Sequence, residues 1–168
     1  MATMHYMDES LGRNRRATPF REESNQSGVT PAALFLSYAA AAPLIGAALY
    51  LVADSSMVEL VRTLMALYGA ALIIFFGGIR WGVAIMTKGG PTFRSLIGAA
   101  FPLFAAMPLF FPAPVEWKLA IIMVLTALLL IDDLNATRRG SGAPTWYLGV
   151  RLPLTVLIEV AILVALVA

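Results

Sequence analysis

Leu60 to Met86 reads LVRTLMALYGAALIIFFGGIRWGVAIM, an apolar run holding one deep charge, Arg80, among glycines. As a helix it is long enough for a bilayer core about 30 Å thick, which needs roughly 20 residues at 1.5 Å each. A charge at the centre of such a helix costs about 2.5–3.5 kcal/mol on insertion scales, so it persists with a partner or a purpose. What surrounds this span decides the fold; what answers Arg80 decides the site.

The whole chain shares the character of this stretch. Of its 168 residues 60% are hydrophobic and only 13% charged, with a mean hydropathy of +0.80, whereas a soluble domain carries about a quarter charged residues. This is the composition of an integral membrane protein. The formal charge of +2 does not indicate nucleic acid, because the basic residues sit at the ends of apolar runs and form no patch. The absence of cysteine excludes disulfides, thiolate catalysis and iron–sulfur ligation, and the one histidine, His5, lies in the polar amino-terminal tail. No metal site and no cofactor is expected.

Residues 1–29 are too polar to offset the entropy of ordering and read as a disordered tail. The tail has no apolar core before a small-residue cleavage site, and its four acids are unlike a transit peptide, so the first apolar helix is expected to direct insertion itself. Residues 30–168 form one all-α transmembrane domain, a bundle of five spans at about 31–53, 60–86, 95–111, 115–134 and 146–168. Thr30 is a candidate N-cap with Pro31 in the first turn, and Pro43 is expected to kink the first span. The third span is short and holds Pro102 and Pro108, which predicts a bent helix whose neighbours satisfy the freed carbonyls. Short loops make neighbouring spans antiparallel. There is no internal repeat of the kind from which many transporters are built.

Lysine and arginine set the orientation. Arg13, Arg15, Arg16, Arg21, Lys88, Arg94, Arg138 and Arg139 fall on one side, and only Arg62 and Lys118 on the other. The amino terminus is therefore expected in the cytoplasm and the carboxyl terminus outside. On that topology Arg80 lies about 9 Å below the cytoplasmic interface. Arg151, early in the fifth span, and Asp132 and Asp133, closing the fourth, fall in the same leaflet, beneath Trp81, Trp146 and Tyr147. These seven residues form the candidate polar or ligand-binding cluster. Pairing Arg151 with either aspartate would relieve an anion at a helix carboxyl end and a cation at an amino end. The bland alternatives are that Arg80 snorkels or forms a structural clasp, and that the aromatics are an interfacial belt.

Two further features stand out. Arg151, Thr155 and Glu159 recur every four residues and share one helical face, predicted to point inward. Glu159 falls near mid-membrane, where a bare carboxylate is costly, so it is read as hydrogen-bonded and protonated, with Thr126, Tyr38, Ser37 or Tyr68 as partners, or as part of a proton or solute pathway. Gly78 with Gly82, and Ala42 with Gly46, are small-x-x-x-small pairs of the kind that let membrane helices approach closely. Lys88-Gly89-Gly90-Pro91 is an ordinary turn. Neither Walker nor dinucleotide-binding spacing occurs.

The series Tyr68-Gly69-Ala70 to Phe76-Gly77-Gly78-Ile79-Arg80-Trp81-Gly82, then Pro102, Asp132-Asp133, and Trp146-Tyr147 followed by Arg151 and Thr155, resembles the transmembrane protein 69 family across nearly everything after the tail. That family comprises small bacterial and mitochondrial membrane proteins classed as a domain of unknown function. The resemblance implies a multi-pass protein of the bacterial inner membrane, or of the mitochondrial inner membrane in a eukaryote, and carries no activity with it.

Three functions are compatible with these residues. The preferred one is a non-enzymatic assembly or accessory module that joins other membrane proteins through the second span. The alternative is a small carrier or binding protein in which the arginines hold an anionic lipid or solute. The least supported is an intramembrane enzyme: no nucleophile has an adjacent base, and Asp132 and Asp133, being consecutive, diverge by about 100° on a helix. The bilayer itself is a partner in every case, and nucleic acid in none.

Overall fold

A computed structural model describes residue 29 and residues 31–54, 56–87, 89–140, 143 and 145–168. The polar tail apart from Val29, together with Thr30, Lys88, Gly142 and Pro144, lies outside the described residues. Five helices follow one another: α1 Pro31–Ala53, α2 Val58–Ile85, α3 Phe93–Ala106 prolonged by a 3-10 turn Met107–Phe110, α4 Val115–Arg138 and α5 Thr145–Val167. With α3 and its 3-10 turn taken together, all five are long and apolar enough to cross a membrane. The described residues contain no strand.

The helix ends are set by local chemistry that hydropathy does not see. Gly89 (φ +90°) and Gly90 (φ +85°) turn the chain after α2, where the positive φ costs a glycine little. Thr92 then caps α3: its hydroxyl accepts from the Ser95 N–H at 3.2 Å, and the Ser95 hydroxyl accepts from the Thr92 N–H at 3.0 Å. The fourth helix continues past Leu134 to Arg138, ending where Gly140 takes φ +67° and its N–H reaches the Thr137 carbonyl at 3.0 Å. Asp132 and Asp133 therefore do not close this helix, as their loss of hydropathy suggested. They lie more than a turn inside it, because Asn135 to Arg138 remain helical and only the glycine reverses the chain. In the α1–α2 turn the Ser56 N–H and hydroxyl and the Tyr50 hydroxyl converge on Asp54, and the two Ser56 bonds chiefly hold that carboxyl below its ordinary value.

Packing makes α2 the hub. It packs extensively against α3 and α4, α5 lies between α4 and α1, and α1 touches α2 more lightly, so α1, α2, α4 and α5 enclose a core with α3 strapped outside on α2. Met65, Ile73, Phe76, Leu119, Ile122, Ile158 and Ile162 are fully buried there, with Ala41, Ala66, Ala70 and Ala165 at the close approaches. Outward positions carry Phe35, Leu49, Phe104, Trp117, Val124, Val156 and Leu163. A large apolar outer surface around a core that sets buried alanines among large aliphatic side chains suits lipid, where helix association depends on close packing and not on escape from water.

The glycines that let α2 approach its neighbours are not the pair read from the sequence. A Cβ on Gly69 would stand 2.9 Å from Ile122 of α4, and one on Gly77 3.1 Å from Pro102 and 3.2 Å from the Ala99 carbonyl of α3. By contrast Gly78, Gly82 and Gly46 face open space, and Ala42 is exposed. Gly69, Ile73, Phe76, Gly77, Arg80 and Ala84 define the inner face of α2. At 100° per residue that face leaves Gly78 and Gly82 on the outer side.

Candidate functional site

The answer to Arg80 comes from α4. Its Nε and Nη2 donate to Asp133 Oδ1 at 3.0 and 2.8 Å, its Nη2 also to the Leu129 carbonyl at 3.0 Å, and its Nη1 lies 2.7 Å from Asp132 Oδ2. The flat guanidinium spans two consecutive aspartates that diverge around the helix, which a compact ammonium could not do. From α5, Arg151 Nε donates to the other Asp133 oxygen at 3.1 Å. Asp133 thus joins three helices, and two cations meet two anions.

Burial differs sharply among the four. Arg151 is 1% exposed, while the Asp132 side chain is 68% exposed. The guanidinium carbon of Arg151 lies over the Phe76 ring, 3.4 Å from its centroid, a cation–π contact strengthened by desolvation. Its Nη1 and Nη2 are buried without a hydrogen-bond partner among the described residues. The cluster is therefore an internal clasp with cancelling charge and an under-answered inner guanidinium.

The other expected residues fall into place around it unevenly. Tyr147 is half-buried and meets Trp146 edge-on with ring centroids 6.4 Å apart, but Trp81, a residue on from Arg80 and so rotated away from it, is exposed. Thr155 is buried on the Arg151 face and donates to the Arg151 carbonyl. Glu159, only half-buried, is joined across the α4–α5 contact by the Thr126 hydroxyl. Of its other expected partners, Tyr68 donates instead to the Ala40 carbonyl and Ser37 to the Ala33 carbonyl, while Tyr38 is exposed. Among the described residues no three histidine, cysteine, aspartate or glutamate side chains gather in the manner of a metal site.

Beside the clasp opens a cleft of about 520 Å³. The end of α2 forms its floor with Ile79, Val83 and Ala84, the start of α3 supplies Thr92, Arg94, Ser95, Ile97 and Gly98, and α4 and the segment after it supply Asp132, Asp133, Thr137 and Arg139, with Tyr147 from α5. Neither Arg94 nor Arg139 makes an ion pair among the described residues, and the Thr137 hydroxyl is buried without a partner. The sequence does not mark these three as site residues, since Arg94 and Arg139 at span ends serve equally as markers of orientation. Phe76 was missed too, although it stands four positions before Arg80 and so on the same face.

Helix count, length and outer surface define a multi-pass helical membrane protein with a charged cleft at one end. The sequence matches the family described as protein of unknown function (DUF3429) over residues 29–167, and the chain belongs to that family. No curated protein and no solved structure matches it.

Proposed function

We propose that this chain is a non-enzymatic membrane protein that binds an anionic group in the cleft formed by the ends of α2, α3 and α4. The observation that carries the proposal is the pair Arg94 and Arg139, lining one cavity without ion-pair partners among the described residues, beside a clasp whose own charges cancel. An uncompensated pair of guanidiniums in a concave, partly apolar site is a recognition element for phosphate or carboxylate. Since Arg80 is already answered by Asp132 and Asp133, the anion would meet the outer arginines first. The charge bias of the loops favours a cytoplasmic cleft and amino terminus, and the likeness to transmembrane protein 69 favours the inner membrane of a bacterium or mitochondrion.

The test is native mass spectrometry of the detergent-purified protein. Wild type should retain an anionic adduct that Arg94→Ala/Arg139→Ala loses, with the thermal unfolding midpoint unchanged; an adduct of equal intensity in both would remove the proposal. A second function, an assembly module for a membrane complex, is supported by one separate observation: Gly78 and Gly82 open outward on α2 with nothing above them. Such a face suits close approach by another helix.

A further inference from the structure

We infer that the anion taken by this cleft is the phosphate of a membrane phospholipid, entering sideways with an acyl chain laid between α3 and α4. This rests on the anion-binding reading and adds the ligand class and its route. Both helices pack on α2, yet they scarcely touch each other, so α2 forms the bottom of a groove with α3 and α4 as its sides. Within that groove chemistry changes along the helix axis. Arg94, Ser95, Thr137 and Arg139 stand at the helix ends, at the level of the headgroups, whereas Ile79 and Ile97 line the wall a turn or more further in, beside the clasp. A hydrated dianion would leave that apolar wall uncovered, and an alkyl chain without a headgroup would leave the arginines unanswered. A phospholipid satisfies both.

Charge narrows the class further. The clasp cancels within itself, Arg80 and Arg151 against Asp132 and Asp133, so Arg94 and Arg139 leave the cleft wall with two cations uncompensated among the described residues. An anionic glycerophospholipid offsets this positive charge; a zwitterionic one does not. Gly98 lies in the groove wall with nothing within 4 Å of where its Cβ would be, so a large side chain there fills the groove while leaving both arginines and the clasp untouched.

The experiment compares dioleoyl phosphatidylglycerol, dioleoyl phosphatidylcholine and glycerol 3-phosphate as ligands of the full chain by native mass spectrometry. The comparison includes wild type, Arg94→Gln/Arg139→Gln and Gly98→Trp, with circular dichroism to establish folding. Phosphatidylglycerol should bind wild type selectively, about 30-fold more weakly to the arginine variant if each arginine contributes as a cation does near an anionic surface, and not measurably to Gly98→Trp. Glycerol 3-phosphate binding that depends on the arginines and ignores Gly98→Trp would overturn the lipid inference and leave the anion site standing. Equal binding of all three ligands to every variant would overturn both.

Discussion

At the scale of single residues, Asp133 and Asp132 are neighbours with different work. Asp133 holds Arg80 with one oxygen and Arg151 with the other and is mostly enclosed, its side chain 13% exposed, while Asp132 meets Arg80 once at the open edge. Removing one member of a buried ionic cluster leaves uncompensated charge and costs about 3–5 kcal/mol, whereas an exposed pair contributes about 0–1 kcal/mol. Asp133→Ala should therefore lower stability by about 3–5 kcal/mol and Asp132→Ala by less than about 1, read by chemical denaturation in detergent. Similar losses in the two variants would contradict the bridging role. Span lengths alone place Arg80, Arg151 and the two aspartates at one depth, because depth follows from 1.5 Å per residue. Which aspartate bridges was not legible. That depends on the rotation of α4 against two helices at once, and on a guanidinium broad enough to reach both carboxylates.

The helix as a unit shows a different limit of reading. Apolar length locates five spans, and the helices begin and end within a few residues of those expectations except at α4, where Gly140 rather than hydropathy ends the helix. Small residues on α2 were legible, but not the face that uses them. The sequence offers Gly69, Gly77, Gly78 and Gly82, and the choice among them is made by Ile122, Ala99 and Pro102 on other helices. Gly77→Ala would press a methyl on the Pro102 ring and the Ala99 carbonyl, groups that cannot rotate aside, so it should destabilise by about 1–3 kcal/mol as overpacking does. Gly78→Ala meets nothing in the chain, and at an interior helix position alanine is favoured over glycine by about 1 kcal/mol. It should leave the monomer unharmed or slightly stabilised. Thermal unfolding of the two variants checks the contrast, and cross-linking of membranes checks the assembly reading: Gly78→Leu and Gly82→Leu should abolish any cross-linked partner while the monomer still folds.

For the whole molecule, composition makes a membrane protein evident, but it does not say which spans touch. Consecutive α3 and α4 barely meet while α1 and α5, the ends of the chain, pack along each other, since loops restrain only helix ends and side-chain complementarity decides the rest. That arrangement gathers the end of α2, the start of α3 and the end of α4 at one pole, with Arg94 and Arg139 there, and sets Arg62 beside Glu116 at the other, 3.8 Å apart. On the orientation proposed above, the cleft pole, which carries Arg94, Arg138 and Arg139, faces the cytoplasm. Because the chain has no cysteine, single cysteines can report the orientation without background. Thr87→Cys, exposed at the cleft pole, and Ser56→Cys, exposed in the α1–α2 turn, are the informative pair. A membrane-impermeant maleimide applied to intact bacterial spheroplasts should label Ser56→Cys and spare Thr87→Cys until the membrane is opened. The reverse pattern would place the cleft outside, where the anionic cytoplasmic leaflet is out of reach. In that case a phospholipid ligand would have to come from the outer leaflet. Orientation and ligand class thus constrain each other, and the labelling result decides which leaflet's lipids belong in the binding experiment.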